Sequence, residues 1–588
     1  MCGFVGIIGL NKQQVIAPML ESIRSRGPDD TGFVQGQWFD LGFCRLSIVA
    51  LSEGRQPVSN ISGDVHLVFN GEIYNFRSIR NKLLESYSPR DDSEAKVLLS
   101  CYEKYGPSFV SHLDGVFAIA VVDCRSRVCY LFRDPFGVKP LYYSSIDGGN
   151  TWVFTSDLRA FFNYPGFSTD LNWVALAERR ILNFWAADRT CFEKIRQLPP
   201  GHFLKLQLVT EPEDTSIQAE SVAYFSLNHA CRHEGEGASA QDVVEKCSEL
   251  LRVAVAKRVQ HTEVYPVVLA LSGGIDSSLI AALLSKVCGK DAVAVTICDN
   301  PHYGDPRYAA QVAYELRLSH HTYRIALTDF LNEFPRMVLT SGGIGPSYFP
   351  YLLGRAVREL EPTAKVILCG EGADEFSLGY QLYIYPDIYV SKVLDGLQSI
   401  PPKTIEMSPL LQRTSKWILM NHENMWLDFV SLFQHDQLVN AHLLPFDHGP
   451  MAFGLECRVP FLDRELVEHI QTVPAHLRIL GETPKIFLRL VLADLFSDKP
   501  ALVQSLSKRC PCPAFFATNR SRGWLEEFLE EKIQGSELRH SRLAALTKDS
   551  VDLFWFASVI IVFLVHRGNI SGMTFEDLTD QVFNLAIE

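Results

Sequence analysis

At 588 residues the chain is too long for one hydrophobic core, so at least two domains are expected. Hydrophobic residues at 47% and charged residues at 21% describe an ordinary soluble globular protein. A formal charge of −13, with no basic run to reverse it, argues against general binding to nucleic acid or anionic membranes.

The chain opens MCGFVGIIG. A cysteine behind the start methionine becomes residue one if the methionine is removed, and then carries a thiol and a free α-amine together. An α-amine has a reference pKa of about 8, so it can act as a base beside the sulfur. The alternative is a small residue beginning a strand. MCGFVGIIGLNKQQ lacks the basic start of a secretory signal. Short strands follow, among them FVGIIGL, WFDLGFCRLSIVAL, DVHLVFNG, FAIAVVD and RVCYLF, separated by turn signals such as GPDDTG and SIDGGN. Helical stretches near 13–25, 76–88 and 92–105 complete an α+β domain over residues 2–205. TEPEDTSIQAES and HACRHEGEGASAQD then read as a polar, acidic connector over 206–240.

From 241 to 588 long helices alternate with the apolar strands VYPVVLAL, AVAVTI and KVILCG, the pattern of a parallel sheet with crossover helices. After the first of these strands comes LSGGIDSS. Ser272, Gly273 and Gly274 leave backbone N–H groups open at a helix N-terminus, a phosphate-binding arrangement. No lysine follows the glycines, so it is not the GxxxxGK[ST] loop. Asp276 stands where a phosphate should go, which is sensible with Mg2+ between the two. After the third strand, CGEGADEF brings Glu371, Asp374 and Glu375 to a strand end, where ligands bind in open α/β sheets. Asp374 can share the magnesium with Asp276, leaving Glu371 for the substrate. Further on, Cys510-Pro-Cys512 is too close for zinc spacing and reads as a loop. The apolar run Leu553–Val565 falls short of the roughly 20 residues of a membrane span and reads as core. Fourteen scattered cysteines suit a reducing cytoplasm.

SGGIDSS and GEGADE in one chain resemble the pyrophosphate-loop domain of glutamine-dependent asparagine synthetases. MCG, RGPDD (26–30), CRLSIV (44–49), FNGEIYN (69–75), DDSEA (91–95), LDGVFAIAVVD (113–123), RDPFGVKPLYY (133–143) and LPPGH (198–202) are similar to that family's class II glutaminase domain. GLECRVPFLD (454–463) and ETPKIFLR (482–489) resemble its C-terminal helical region. The resemblance implies an N-terminal-nucleophile αββα sandwich followed by an α/β synthetase domain with a helical C-terminal region.

It also implies roles. Cys2 is the glutaminase nucleophile. Arg45 pairs with the glutamine α-carboxylate, and Asp92 holds its α-ammonium. Asn70 and the Gly71 N–H form the oxyanion hole, while Glu72 and the main chain of Leu46, Ser47, Ile48 and Val49 complete the pocket. Ser272, Gly273, Gly274, Asp276 and Ser277 form the pyrophosphate loop; Leu271, Ile297, Cys369 and Gly370 match positions that contact ATP. Glu371 matches the carboxylate needed to form an acyl-adenylate, and Lys485 the cation near the departing pyrophosphate. Implied cofactors are ATP and Mg2+, and the implied acceptor is aspartate. Expected partners are these small molecules, with a homodimer allowed and neither nucleic acid nor membrane.

Some positions depart from the family. Its usual His before RLS is Cys44, its usual Ser before GEGADE is Cys369, its FGGY reads FSLGY (376–380), Pro306 replaces an acidic residue, and an ASEIKA-like stretch reads TSDLRA (155–160). These lie mostly around the acceptor side. An amidotransferase for another carboxylic acid, in secondary metabolism, is therefore an open alternative. A catalytically silent regulatory homologue would be favoured by loss of Cys2, Asp276 or Asp374, and none is lost.

Overall fold

The computed structural model describes residues 2–507, except 11, 50–53, 85–92, 183, 211–214, 228–238, 261, 263–264, 287–291, 299–304, 342–347, 381–382, 384, 399, 401, 421–429 and 431–432, and resumes at 572–574, 577–578 and 581. The Cys510-Pro-Cys512 loop and the Leu553–Val565 run lie outside the described residues, as does Asp92.

The opening segment alternates with period two, as a strand must if both its faces are buried. In Cys2–Ile8, Phe4 and Ile8 face one apolar cluster while Val5 and Ile7 face another. This strand sits inside a six-stranded antiparallel sheet, paired with Phe39–Arg45 on one side and Thr151–Thr155 on the other. A second six-stranded sheet is built around Val65–Ile73, Gly115–Asp123 and Val128–Arg133. The two sheets bury Phe4, Leu41, Phe43, Val68, Ala118 and Leu131 between them. Helix Ile16–Ser22 covers the outer face of the first sheet, and helices Phe76–Leu84 and Glu94–Tyr105 cover the second. The layers run helix, sheet, sheet, helix, as the resemblance implies.

The boundary drawn from the sequence at 205 is too early. Thr215–Ala223 pairs along its whole length with His202–Thr210, so residues 206–210 and 215–223, expected in the connector, belong to the second sheet. Thr215–Ala223 is that sheet's edge. With one neighbour and Ile217 as its buried apolar residue, it carries a polar sequence.

The second part begins at helix Ala240–Arg258, whose N-terminus is a capping box. The Asp242 N–H donates to Ser239 Oγ, and the Ser239 N–H donates back to the Asp242 carboxylate. Its five-stranded sheet is wholly parallel, in the order Ser319–Arg324, Val293–Cys298, Val267–Ala270, Val366–Leu368, Glu456–Arg458. The earliest strand lies centrally and the chain winds outward on both sides of it. That topology opens a crevice at the carboxyl ends of Val267–Ala270 and its neighbours. Among the described residues, no helix is long and apolar enough to cross a membrane.

Buried charges join the two parts. The Arg458 guanidinium donates to Glu72 at 2.7 Å and to Glu456 at 3.1 Å, and also to the Arg258 carbonyl at 2.8 Å. Arg26 pairs with Asp447 at 2.7 Å. Removing one partner of a buried pair leaves an uncompensated charge and costs about 3–5 kcal/mol, so these contacts fix the relative placement of the parts.

Candidate active site

Cys2 stands at the head of its strand and lines a small cavity of about 40 Å³. Its backbone N–H donates to Asn70 Oδ1 at 3.0 Å, and its thiol lies 3.9 Å from the Leu46 carbonyl. Burial pushes the Cys2 thiol above its ordinary value, and Arg45 pulls the other way. Asn70 is fully buried, and its Nδ2 has no hydrogen-bond partner. A buried amide donor left open beside a thiol is suited to an oxyanion formed on that sulfur's target. Gly71 holds φ at +151°, and a Cβ there would lie 2.0 Å from the Val116 carbonyl, so the position requires glycine.

Arg45, Leu46, Ile48, Val49, Gly71 and Glu72 line the same cavity. Ser47 does not. Its N–H donates to Asp29 at 2.7 Å, and its carbonyl accepts from Lys365, so it is turned toward the second part. The sequence reading missed Glu94, which also lines the cavity and accepts from the Ile73 N–H at 3.0 Å. Burial, then the neighbouring Glu72, raises Glu94 well above the ordinary carboxylate value. Its place in the first helical turn of DDSEA was the available signal.

The crevice of the parallel sheet is a cavity of about 930 Å³. Leu271, Ser272, Gly274, Asp276 and Ser277 line it from the central strand, Ile297 from one neighbour, and Cys369 and Gly370 from the other. Gly273 is not at the wall. Its φ of +72° turns the chain, and a Cβ there would meet the Ala309 amide at 2.4 Å. Ser272 Oγ accepts from the Gly274 N–H at 3.2 Å, which closes the loop against the helix Ile275–Lys286.

Lys485 bridges the two acidic loops. Its ammonium lies 2.6 Å from both Asp276 and Asp374. Burial opposes its charge, but the two carboxylates outweigh this and hold it above the usual lysine range. Burial also pushes Asp276 up to about 6, against Lys485 and with help from Asp374. The other Asp276 oxygen, Oδ1, is buried without a partner. Two carboxylates converging on one cation, with a free buried oxygen, form a donor set that fits a hard divalent ion.

Gly379, within FSLGY, packs against this bridge. A Cβ there would come within 1.9 Å of Asp374 Oδ1 and 2.1 Å of Lys485 Cε. Gly379→Ala therefore displaces both groups, and ATP-dependent turnover is expected to fall at least about tenfold, since one pKa-scale displacement of about 1.4 kcal/mol suffices for that. Steady-state pyrophosphate release measures it, and an unchanged rate would mean the bridge is not needed in that position.

Glu371 reaches the cavity beside Glu375, Tyr380 and His442. His442 Nδ1 lies 3.0 Å from Glu371, while Nε2 lies 3.1 Å from the Tyr380 hydroxyl and 3.6 Å from Glu375. Burial raises Glu375 to about 7; burial opposes charge on His442, but Glu375 and Glu371 lift it to about 9. Nothing in the sequence motifs singled out His442.

One residue spans the distance between the cavities. Arg458 grips Glu72 of the first with its side chain, and its carbonyl accepts from the Cys369 N–H of the second at 3.1 Å.

Comparison with known proteins divides the chain into the same two parts. Residues 1–215 match the glutamine amidotransferase domain family, and residues 246–555 match the asparagine synthase family. The chain is 28% identical over 547 residues to the glutamine-hydrolyzing asparagine synthetase 2 of Bacillus subtilis, covering 86% of this chain and 70% of that one. It is 26% identical over 610 residues to asparagine synthetase 1 of the same organism, covering 93% of each. A shorter match, 29% identical over 270 residues, is to the amidase chyE of Penicillium rubens, covering 46% of this chain and 38% of that protein.

Proposed function

The chain belongs to the asparagine synthase family, and we propose that it amidates a carboxylic acid with nitrogen from glutamine, through an acyl-AMP. The observation that carries the reading is a buried cysteine-centred cavity in the same packed body as a cavity holding Asp276, Asp374, Glu371 and Lys485.

In the first cavity, with Met1 removed, the α-amine of Cys2 takes the thiol proton and the sulfur attacks the glutamine side-chain amide. Asn70 Oδ1 holds that nitrogen in place, and Asn70 Nδ2 with the Gly71 N–H receives the oxyanion. Arg45 pairs with the α-carboxylate of glutamine. Ammonia leaves, and water hydrolyses the γ-glutamyl thioester to glutamate.

In the second cavity the Ser272–Ser277 loop takes the phosphates of ATP, and Asp276 and Asp374 would hold Mg2+. Bound there, the ion neutralises charge on the departing pyrophosphate. Glu371 faces the acceptor acid, whose carboxylate oxygen attacks the α-phosphorus of ATP and displaces pyrophosphate. Lys485, beside both aspartates, supplies a cation for the departing pyrophosphate. Ammonia then displaces AMP from the acyl carbon and gives the amide.

Aspartate is the acceptor most in keeping with the Bacillus relatives. A second reading keeps the mechanism and changes the acid. It is favoured by Leu378, which stands in FSLGY at φ +57°, a conformation glycine adopts more readily, and by the partial likeness to an amidase. Pyrophosphate release with ATP and each of aspartate, glutamate, succinate and benzoate separates the two. Release with aspartate supports the first, release with another acid alone supports the second, and silence with every carboxylic acid tried would remove both.

A further inference from the structure

The acceptor end of the large cavity contains an arrangement that the two ATP loops do not explain. His442 belongs to the π-helical run Phe433–Leu443, whose wide turn is a frequent feature of functional sites. Its ring reaches the cavity between two carboxylates of the opposite loop.

Hydrogen-bond accounting fixes how the ring is used. The Tyr380 hydroxyl donates its proton to Glu375 at 2.5 Å, so toward His442 its oxygen is left to accept. His442 Nε2 therefore donates to Tyr380. Glu371, an acceptor, takes the proton of Nδ1 at 3.0 Å. Both ring nitrogens are donors, each to a different group, and Glu371 is tied at one oxygen. Tyr380 comes from FSLGY, the stretch in which this chain departs from its family, and it sits one residue after the glycine packed on Asp374 and Lys485. Tyr380 at 2.5 Å and His442 at 3.6 Å both meet the Oε1 oxygen of Glu375, and its buried Oε2 has no partner among the described residues.

We propose that His442 is a positioning residue for the acceptor, holding Glu371 in one orientation while Tyr380 and Glu375 lock the far side of its ring. This rests on the reading of Glu371 as the carboxylate that faces the acid.

The test compares His442→Leu with His442→Asn. Leucine has similar bulk and no donor, whereas asparagine keeps an N–H near the place of Nδ1. The readouts are acid-dependent ATP–pyrophosphate exchange, glutamine hydrolysis and MgATP affinity by calorimetry, with melting temperature as the check on folding. His442→Leu should lower kcat of exchange at least a hundredfold and raise the acid's KM, with MgATP affinity and glutamine hydrolysis within threefold of wild type. His442→Asn should recover at least tenfold of the lost kcat. Exchange in His442→Leu within threefold of wild type overturns the proposal, as does an asparagine variant no better than the leucine one. A wild-type protein that exchanges pyrophosphate with no acid overturns the acyl-AMP reading itself, and this proposal with it; that outcome is told apart because it is seen before any substitution is made.

Discussion

Cys2→Ala removes glutamine hydrolysis by roughly ten-thousand-fold, the scale of losing a covalent nucleophile, and leaves amide synthesis from ammonium near the wild-type rate. The asymmetry follows from separation. Cys2 lines the cavity between the two antiparallel sheets, and none of its contacts reaches the pyrophosphate loop. Alanine preserves the small volume at the strand head, and the backbone bond to Asn70 survives because it uses the main-chain nitrogen. Glutamate formation and ammonium-dependent AMP formation are measured on one preparation, whose intact mass should show a chain starting at residue 2. Loss of both activities in a folded protein would show that the sites are not independent.

Asp276→Asn has the converse effect. ATP-dependent synthesis falls by several powers of ten, because an interaction of several kcal/mol between metal and developing charge is lost. The amide keeps the shape and discards the charge that Lys485 now meets at 2.6 Å. Lys485 would then rest on Asp374 alone, where it still pairs at 2.6 Å, so the variant should fold. Glutamine hydrolysis, which uses no group in this loop, should remain within about twofold. Pyrophosphate release against magnesium concentration measures the change, and near-normal synthesis would refute the placement of the ion between Asp276 and Asp374.

The parts of this site that were legible in the sequence are those whose chemistry depends on neighbours along the chain. SGGIDSS is a turn and a helix start directly behind an apolar strand, and the structure has strand Val267–Ala270 before it and helix Ile275–Lys286 beginning within it. The strand Cys2–Ile8, a short apolar run closed by a turn and buried at every residue, was equally local. His442 was not legible, because Glu371 and Tyr380, which give it meaning, lie 71 and 62 residues away. The Arg458–Glu72 pair, 386 residues apart, is a product of domain packing that no periodicity announces. Thr215–Ala223 escaped for a different reason. An exposed edge strand has no apolar face to alternate, so its composition imitates a linker.

Leu378 was visible as a departure and its consequence was not. Its left-handed φ preserves the turn after Ala373–Ser377 that a glycine would make, and its side chain is buried among Ile181, Tyr383 and Val393. The turn that delivers Gly379 to Asp374 and Tyr380 to Glu375 therefore persists with a different residue.

The central claim is that nitrogen released at Cys2 becomes the amide formed at Glu371. The most direct test incubates the protein with glutamine labelled with nitrogen-15 in its side-chain amide, MgATP and the acid that supports pyrophosphate release, and follows products by mass. The account predicts a labelled amide formed in step with AMP, with label retained when unlabelled ammonium is present at a low concentration. Glutamate formed alongside an unlabelled amide, or with no amide at all, would contradict it.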